Sequence, residues 1–123
     1  MSRILIVDDE QDLVSYIAAE LRAVGFATGD AYNGVEAVLK VLDDKPDAVL
    51  MDIRMPKLDG LGALRIIRRI APEVPVVMFT GQAGQGDMLE STRLGAFSCL
   101  SKPLAIEKVI NTLRQAMPVE AVR

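Results

Sequence analysis

Residues 47–56, DAVLMDIRMP, carry the clearest sign of the chain's architecture. Its apolar run, Ala48 to Met51, is typical of a strand that is covered on both faces, and the run ends at Asp52. Pro56, four residues further on, prevents the backbone from continuing as a regular strand. Ligands of open parallel α/β sheets bind at the carboxyl ends of the strands, so Asp52 would lie where chemistry takes place. Taken alone, Asp52 would be interpreted as a turn or helix-capping aspartate. Polar residues at the ends of other predicted strands favour a functional role instead.

The composition favours a single α/β domain with an aliphatic core. The chain has 123 residues, of which half are hydrophobic and only 4% are aromatic. A length of this order fits one domain. Fourteen basic and seventeen acidic residues give a net charge of −3 without blocks of one sign, which argues against a nucleic-acid surface.

Cysteine content and hydropathy predict a cytoplasmic protein. The single Cys99 cannot form an internal disulfide. The first apolar run, Ile4 to Val7, is too short for a signal sequence, and no apolar stretch approaches the length of a membrane span. We therefore expect no membrane interaction.

Five strand-like runs alternate with five helical patterns, which predicts a parallel sheet with right-handed crossovers. The strands are predicted at residues 3–7, 26–32, 47–52, 74–79 and 97–100. The first, third and fourth runs are the most apolar, so we place them at the centre of the sheet. The flavodoxin-like order 2-1-3-4-5 has these strands in the middle and a switch point between strands one and three.

Helix boundaries follow from capping residues. Residues 33–36, NGVE, resemble a capping box that opens a helix. Asp59 is the predicted N-cap of a helix that runs to about Ile70. Residues 81–86 contain three glycines, so we expect a mobile loop before a helix around residues 88–94. The apolar face of the second helix is predicted from its spacing to comprise Val35, Val38, Leu39 and Leu42.

Five polar side chains converge at the carboxyl edge of the predicted sheet. Neighbouring strands are about 4.8 Å apart, so residues at their ends share one crevice. Carboxylates that lie together repel unless a cation is present, and all-oxygen ligands suit Mg²⁺. Such a site can hold phosphoryl oxygens while a carboxylate attacks phosphorus. The converging residues are Asp8, Asp9, Asp52, Thr80 and Lys102.

The motifs of this edge resemble the receiver domain of two-component response regulators. They are VDDE at 7–10, MDIRMP at 51–56, Asp59-Gly60, Thr80-Gly81 and Lys102-Pro103, in the order and spacing of that family. The resemblance covers about residues 2 to 117. We expect a receiver domain over residues 1–117, followed by a tail or the start of a linker at 118–123.

The resemblance implies a role for each site residue. Asp52 would accept a phosphoryl group from the phosphohistidine of a sensor kinase or a phosphotransfer protein. Asp9 and Asp52 would bind Mg²⁺ directly together with the backbone carbonyl of Arg54, and Asp8 would help through water. Thr80 and Lys102 would hold the phosphoryl oxygens, with the Lys102-Pro103 bond in cis.

The resemblance also implies partners and a mode of action. An output domain or target protein would receive the signal, with no direct contact of this domain to nucleic acid, and a homodimer is left open. The domain would assist its own phosphorylation and dephosphorylation without turning over a separate substrate.

Each residue also has a structural interpretation that needs no chemistry. Asp8 and Asp9 could cap the first helix, and one of them is expected to help there. Thr80 could be an ordinary threonine at a strand end. Lys102 could be a solvated surface lysine, although the following Pro103 would fix its direction.

The chain departs from the family pattern at Cys99, where the family usually has Tyr or Phe that turns on phosphorylation. Leu104 likewise stands where Phe is common after the Lys-Pro pair. Because a cysteine cannot fill an aromatic-sized space, either neighbouring apolar residues fill it in both states or the loop at 81–86 and the following helix carry the change. We predict the second outcome, since three glycines lower the cost of moving that loop, so that phosphorylation reorganises residues 80–95 while strand five changes little. Cys99 itself is expected to be a small packed residue.

Three alternative functions fit the residues less well. A flavodoxin-type FMN protein would need a phosphate-binding loop after strand one, where this chain has three acids. An aspartate-nucleophile phosphatase would need a second acid two residues after Asp52, and Arg54 occupies that position. A receiver-like interaction module that is not phosphorylated would not need the complete set of acids, hydroxyl and lysine. The loop at 81–86 is not a P-loop, because no Gly-Lys-Ser/Thr follows.

Overall fold

In a computed structural model of the chain, which describes residues 1–81 and 85–118, five parallel strands form one sheet. The strand order is β2-β1-β3-β4-β5, which confirms the predicted flavodoxin-like fold. The strands are β1 Arg3–Val7, β2 Ala27–Ala31, β3 Ala48–Asp52, β4 Val76–Thr80 and β5 Ser98–Ser101. The helices are α1 Gln11–Ala23, α2 Gly34–Asp44, α3 Gly60–Ile70, α4 Gln85–Arg93 and α5 Ile106–Ala116.

The strand register brings the ends of the central strands to the same edge of the sheet. Val7 of β1 is paired with Met51 of β3. Asp52 is paired with Phe79 of β4, one residue before Thr80. The residues that follow β1 and end β3 and β4 therefore share the carboxyl edge, as the apolar composition of these strands predicts.

Two hydrophobic clusters lie on opposite faces of the sheet, because successive side chains of a strand point to opposite sides. Ile4 and Ile6 belong to the first cluster, which α1 and α5 cover. Leu5 and Val7 belong to the second cluster, which α2 and α3 cover. Eleven of the fourteen buried side chains of the three central strands are aliphatic or methionine, in agreement with the low aromatic content.

The edge strands and α4 differ slightly from their predicted limits. The second strand is shorter than the predicted 26–32 and is mostly half-buried, as an edge strand should be. The prediction that α4 begins near Met88 was wrong, since the helix begins at Gln85 and includes Gly86. Residues 82–84 of the predicted glycine-rich loop lie outside the described residues.

The predicted face of α2 was wrong. Val35, Leu39 and Leu42 are 45%, 54% and 51% exposed, and Val38 is only partly buried. The side of α2 that faces the sheet carries small residues because the helix lies close to its neighbours; a Cβ on Gly34 would be 2.1 Å from the carbonyl oxygen of Leu58. The buried residues of α2 are Gly34, Ala37 and Val41.

The predicted helix caps are confirmed. Asn33 Oδ1 accepts a hydrogen bond of 2.9 Å from the Glu36 N–H, and the Glu36 carboxylate in turn accepts from the Tyr32 N–H. Asp59 Oδ1 accepts from the Gly62 N–H at 2.8 Å. These bonds satisfy N–H groups that have no partner within the helix. None of the helices in the described part of the chain is both long enough and apolar enough to cross a membrane.

Candidate functional site

The predicted site residues come together at the carboxyl edge of the sheet. Asp8, Asp52 and Thr80 are buried, because the three central strands that carry them are covered on both faces. Asp9 is exposed beside them. The fold thus places two carboxylates and a hydroxyl at the bottom of a crevice and a third carboxylate at its rim.

The three aspartates form a cluster that fits a metal ion. One carboxylate oxygen from each of Asp8, Asp9 and Asp52 lies within 4.8 Å of the others. Oxygen donors at this spacing suit a hard divalent cation such as Mg²⁺ rather than zinc or copper. Two of these acids are buried, so their mutual repulsion is poorly screened without a cation.

Lys102 connects strand five to this cluster. Its Nζ lies 3.2 Å from Asp8 Oδ2, 3.1 Å from Glu10 Oε1 and 3.5 Å from Asp52 Oδ2. The ammonium also lies 5.3 Å from the centre of the Phe79 ring, and its side chain is only 20% exposed. Lys102 is therefore not a solvated surface lysine. The Lys102-Pro103 bond is cis, as the resemblance implies.

Backbone N–H groups fix the orientation of the two buried carboxylates. Asp8 Oδ1 accepts a hydrogen bond from the Glu10 N–H at 3.1 Å. Asp52 Oδ1 accepts one from the Arg54 N–H at 3.3 Å. Helix α1 has Glu10 as its N-cap, without a side-chain capping bond. The expectation that an aspartate caps α1 was wrong, because Asp8 closes a turn at the strand end instead.

Burial dominates the acid–base properties of the site. It raises the pKa of Asp8 to about 7; the Glu10 N–H opposes the shift and the charge of Asp52 adds to it. It also raises the pKa of Asp52, against the effect of Lys102. Burial alone would lower the pKa of Lys102, but the hydrogen bond to Glu10 and the two aspartates raise it. Burial thus favours the neutral form of both acids, and the charge of Lys102 opposes it.

Two glycines allow the close approach that the site requires. A Cβ on Gly60, at the start of α3, would lie 2.0 Å from the carbonyl oxygen of Asp52. A Cβ on Gly81 would lie 3.2 Å from Lys102 Cδ. The Asp59-Gly60 and Thr80-Gly81 pairs therefore do more than form turns, since they let α3 and Lys102 pack directly against the strand ends.

The side chain of Arg54 makes a contact that sequence reasoning missed. Its guanidinium forms an ion pair with Asp87 in the first turn of α4. Arg54 and Asp9, together with Met55, Pro56 and Asp59, line a cavity of about 360 Å³ that opens beside the acidic cluster. The pair thus links the loop after β3, which lines this cavity, to α4.

Sequence reasoning also missed a role for Glu10. The third acid of the run after β1 had no predicted role, yet it holds Lys102 from the exposed side. The run of three acids after β1, together with a lysine at a later strand end, could have predicted the contact of Glu10 with Lys102. No sequence feature predicts the ion pair of Arg54 with Asp87, because it depends on where α4 begins.

Cys99 and Leu104 pack into the fold. Cys99, on β5, packs against the second hydrophobic cluster, and burial raises its pKa, so the thiol is a packed neutral group. Leu104 packs against the first cluster. A groove of about 530 Å³ lies on that side of the molecule, next to Lys102. Its lining comprises Glu10, Leu13, Tyr16, Ile17, Lys102, Pro103, Leu104 and Ile106.

Curated relatives of this chain are response regulators. It is 35% identical over 123 residues to the regulatory protein AtoC of Escherichia coli, which covers all of this chain and 27% of AtoC. It is 32% identical over 108 residues to the transcriptional regulatory protein PrrA of Mycobacterium tuberculosis, covering 88% of this chain and 46% of PrrA. The chain thus spans less than half the length of these relatives.

Solved structures of receiver domains share the fold. A receiver domain protein from Clostridium thermocellum superposes with a TM-score of 0.90 at 28% identity, covering 94% of each chain. The receiver domain of NtrX from Brucella abortus superposes with a TM-score of 0.86 at 33% identity, covering 92% of this chain and 96% of that one. The family model of the response regulator receiver domain matches residues 4–114. This chain belongs to that family and is a receiver domain of the kind found in two-component response regulators.

Proposed function

We propose that Asp52 is the phosphoacceptor of this receiver domain and takes its phosphoryl group from the phosphohistidine of a sensor kinase or a phosphotransfer protein. The observation that carries this proposal is the position of Asp52. It is a buried carboxylate at a strand end, 3.5 Å from the ammonium of Lys102 and within 4.8 Å of two further carboxylates. Its backbone bond to Arg54 leaves the other oxygen directed at Lys102.

The transfer is a displacement at phosphorus. An oxygen of Asp52 forms the new bond to phosphorus as the bond to the donor imidazole nitrogen breaks, and the electron pair leaves with the imidazole. Lys102 then loses part of its contact with Asp8 and contacts a phosphoryl oxygen instead. The Thr80 hydroxyl donates a hydrogen bond to a second phosphoryl oxygen. Such a reaction depends on positioning and charge neutralisation rather than on a general acid.

We propose that the acidic cluster holds Mg²⁺. Asp9 and Asp52 would ligate it directly with the carbonyl of Arg54, and Asp8 would act through a water molecule. When bound, Mg²⁺ neutralises negative charge on the carboxylates and the phosphoryl oxygens. The close approach of the three carboxylates, two of them buried, supports this assignment.

The groove beside Lys102 is the surface we assign to the phosphoryl donor. It is mostly apolar and borders the site through Glu10 and Lys102.

The partner that receives the signal would be an output domain or target protein, because the relatives that extend beyond this match are named regulators. We propose a cytoplasmic receiver domain over residues 1–117, with 118–123 as a tail or linker, and no direct contact with nucleic acid or membrane.

The observed contacts do not favour a hydrolytic phosphatase. The position two residues after Asp52, which would carry the general acid, is Arg54, and its side chain pairs with Asp87. We propose that the domain assists its own phosphorylation and dephosphorylation only. An interaction module that is never phosphorylated would not need Lys102 to bridge three acids.

The proposal is tested by incubating the protein with acetyl phosphate, with and without Mg²⁺, and measuring the intact mass. The wild type should gain one phosphoryl group only with the metal, and Asp52→Asn should gain none. Asp12→Asn, which removes an exposed acid in the first turn of α1, is the matched control and should be labelled like the wild type. Equal labelling of Asp52→Asn and the wild type would refute the assignment.

A further inference from the structure

Helices α2 and α3 expose an apolar surface that the receiver function does not use. Half of the ten exposed large hydrophobic side chains in the described residues lie on these two neighbouring helices. They recur at helical spacing, so each helix contributes a stripe. We call this surface the α2–α3 face; it consists of Val35, Leu39, Leu42, Ile66 and Ile70.

The two stripes are continuous with each other. Leu42 and Ile70 line the same cavity of about 170 Å³ between the ends of α2 and α3. Ile66 lies one turn earlier and borders a second depression on α3, of about 300 Å³, which Gly62, Arg65 and Arg69 also line. Aliphatic side chains of this size on adjacent helices, with one depression between the helices and one on α3, form a surface that can receive the side chains of a partner.

Opposite charges stand at matching positions on the two helices. Asp43 is the residue before the last of α2, and Arg69 is the residue before the last of α3. Both helices have 11 residues, and both lead from the carboxyl edge of the sheet to its other edge. Both side chains are exposed, and neither forms an ion pair with another of the described residues.

This arrangement is complementary to itself. A two-fold axis parallel to the helices places α2 of each copy over α3 of the other, so Asp43 meets Arg69 twice. Leu39 then faces Ile66, and Val35 lies over the small Gly62. A foreign partner of uniform charge would be attracted by one helix end and repelled by the other. An isologous contact uses each residue twice and satisfies both charges.

We propose that the α2–α3 face is the interface through which two copies of this chain associate. The contact would leave the receiver chemistry accessible, because Asp43 and Arg69 lie at the ends of their helices that are remote from Asp52. The groove beside Lys102 is on the other face of the sheet. Association should therefore not require phosphorylation.

Sedimentation equilibrium over a range of protein concentrations tests the interface. The wild type should show a monomer–dimer equilibrium with or without acetyl phosphate. Leu39→Glu should weaken the dimer by about tenfold or more, because it buries an unpaired charge at the centre of the contact. Leu89→Glu changes the most exposed leucine, on α4, and should leave the equilibrium unchanged.

Charge reversal tests the proposed pairing of the two helices. Asp43→Arg and Arg69→Asp should each weaken the dimer, since each places like charges together twice. The double variant should restore association to near the wild-type level. The proposal would be overturned by a wild type that stays monomeric, or by dissociation of the dimer in Leu89→Glu but not in Leu39→Glu. A double variant that associates no more tightly than the single variants would also overturn it. Labelling of Asp52 in these variants is a separate readout and is expected to be unchanged.

Discussion

Asp8 is a fully buried carboxyl group whose pKa is raised although it contacts a lysine. Burial raises its pKa from 3.8 to about 7, since the cost of a buried charge next to Asp52 exceeds the help from Lys102. The folded chain therefore binds more protons than the unfolded chain between these values. Its contribution to stability is complete below about pH 4 and is lost as the pH rises to 7 and beyond.

We predict that the metal-free protein becomes less stable between pH 5 and pH 8, with a melting temperature lower by about 5 °C at the upper end. Asp52, whose pKa is also raised, contributes in the same direction. Lys102 stays charged over this range, because its pKa is raised. The chain has no histidine, so no imidazole contributes to the slope. Thermal unfolding followed by circular dichroism with a chelator present measures it.

Asp8→Asn is the variant that isolates this effect. Its melting temperature should fall less than that of the wild type over the same range, because only the contribution of Asp52 remains, and it should exceed the wild-type value at pH 8. Asp12→Asn, on the exposed side of α1, should keep the wild-type slope. A wild-type protein whose stability rises with pH would contradict the assignment.

The residues of the site were predictable where strand ends place them. Asp8, Asp52 and Thr80 follow or end apolar runs, and parallel strands bring those ends together whatever the details of packing. The contacts of longer side chains were not predictable in this way. Lys102 reaches Glu10 as well as the aspartates, and Arg54 reaches α4, because side-chain length and helix position decide such contacts.

Of the five helices, α4 buries the fewest of its described side chains. Among its described side chains only that of Ser91 is buried. The other helices bury several apolar residues each. Few buried contacts mean a low cost of local rearrangement. The ion pair of Arg54 with Asp87 ties this helix to the loop that follows Asp52.

We predict that phosphorylation moves α4 and leaves β5 nearly unchanged. A phosphoryl group on Asp52 attracts the Thr80 hydroxyl and competes with Asp87 for Arg54, whereas Cys99 offers no aromatic ring to turn. Amide chemical shifts recorded with and without beryllofluoride should change most within residues 80–95. Arg54→Ala should reduce the change in α4, and Arg22→Ala, on the far end of α1, serves as the control. Changes concentrated at residues 97–100 would show that the prediction is wrong.

The elements themselves were largely predictable, and the face of α2 was not. Its apolar residues occupy more than one side of the helix, so periodicity identified a stripe but not the side that meets the sheet. Gly34 and Ala37 face inward because α2 packs closely against the residues before α3. Close packing favours small residues, which a hydrophobicity pattern does not mark as core.

We expect the acidic cluster to link metal binding to the stability of the whole domain. Without a cation the folded state holds three carboxylates within 4.8 Å, whereas the unfolded chain keeps them apart. A Mg²⁺ concentration about ten times the dissociation constant adds about 1.4 kcal/mol to the free energy of unfolding. That corresponds to a rise in melting temperature of about 5 °C for a domain of this size.

Calorimetry across millimolar Mg²⁺ measures this rise in melting temperature. Asp9→Asn should abolish most of it while leaving the metal-free protein folded, because Asp9 is exposed. Asp52→Asn in the metal-free protein should be neutral or stabilising, since it removes a buried charge. A wild-type melting temperature that does not respond to Mg²⁺ would count against the metal site.

Because the core is divided into two clusters, residues on opposite sides of the sheet can change independently of each other. The groove beside Lys102 rests on the cluster under α1 and α5, whereas the α2–α3 face rests on the cluster beyond the sheet. Substitutions on the two sides share no partners and should combine additively. If the two surfaces have the roles proposed above, the surface for the phosphoryl donor can change in evolution without altering the surface between two copies, because the sheet separates them.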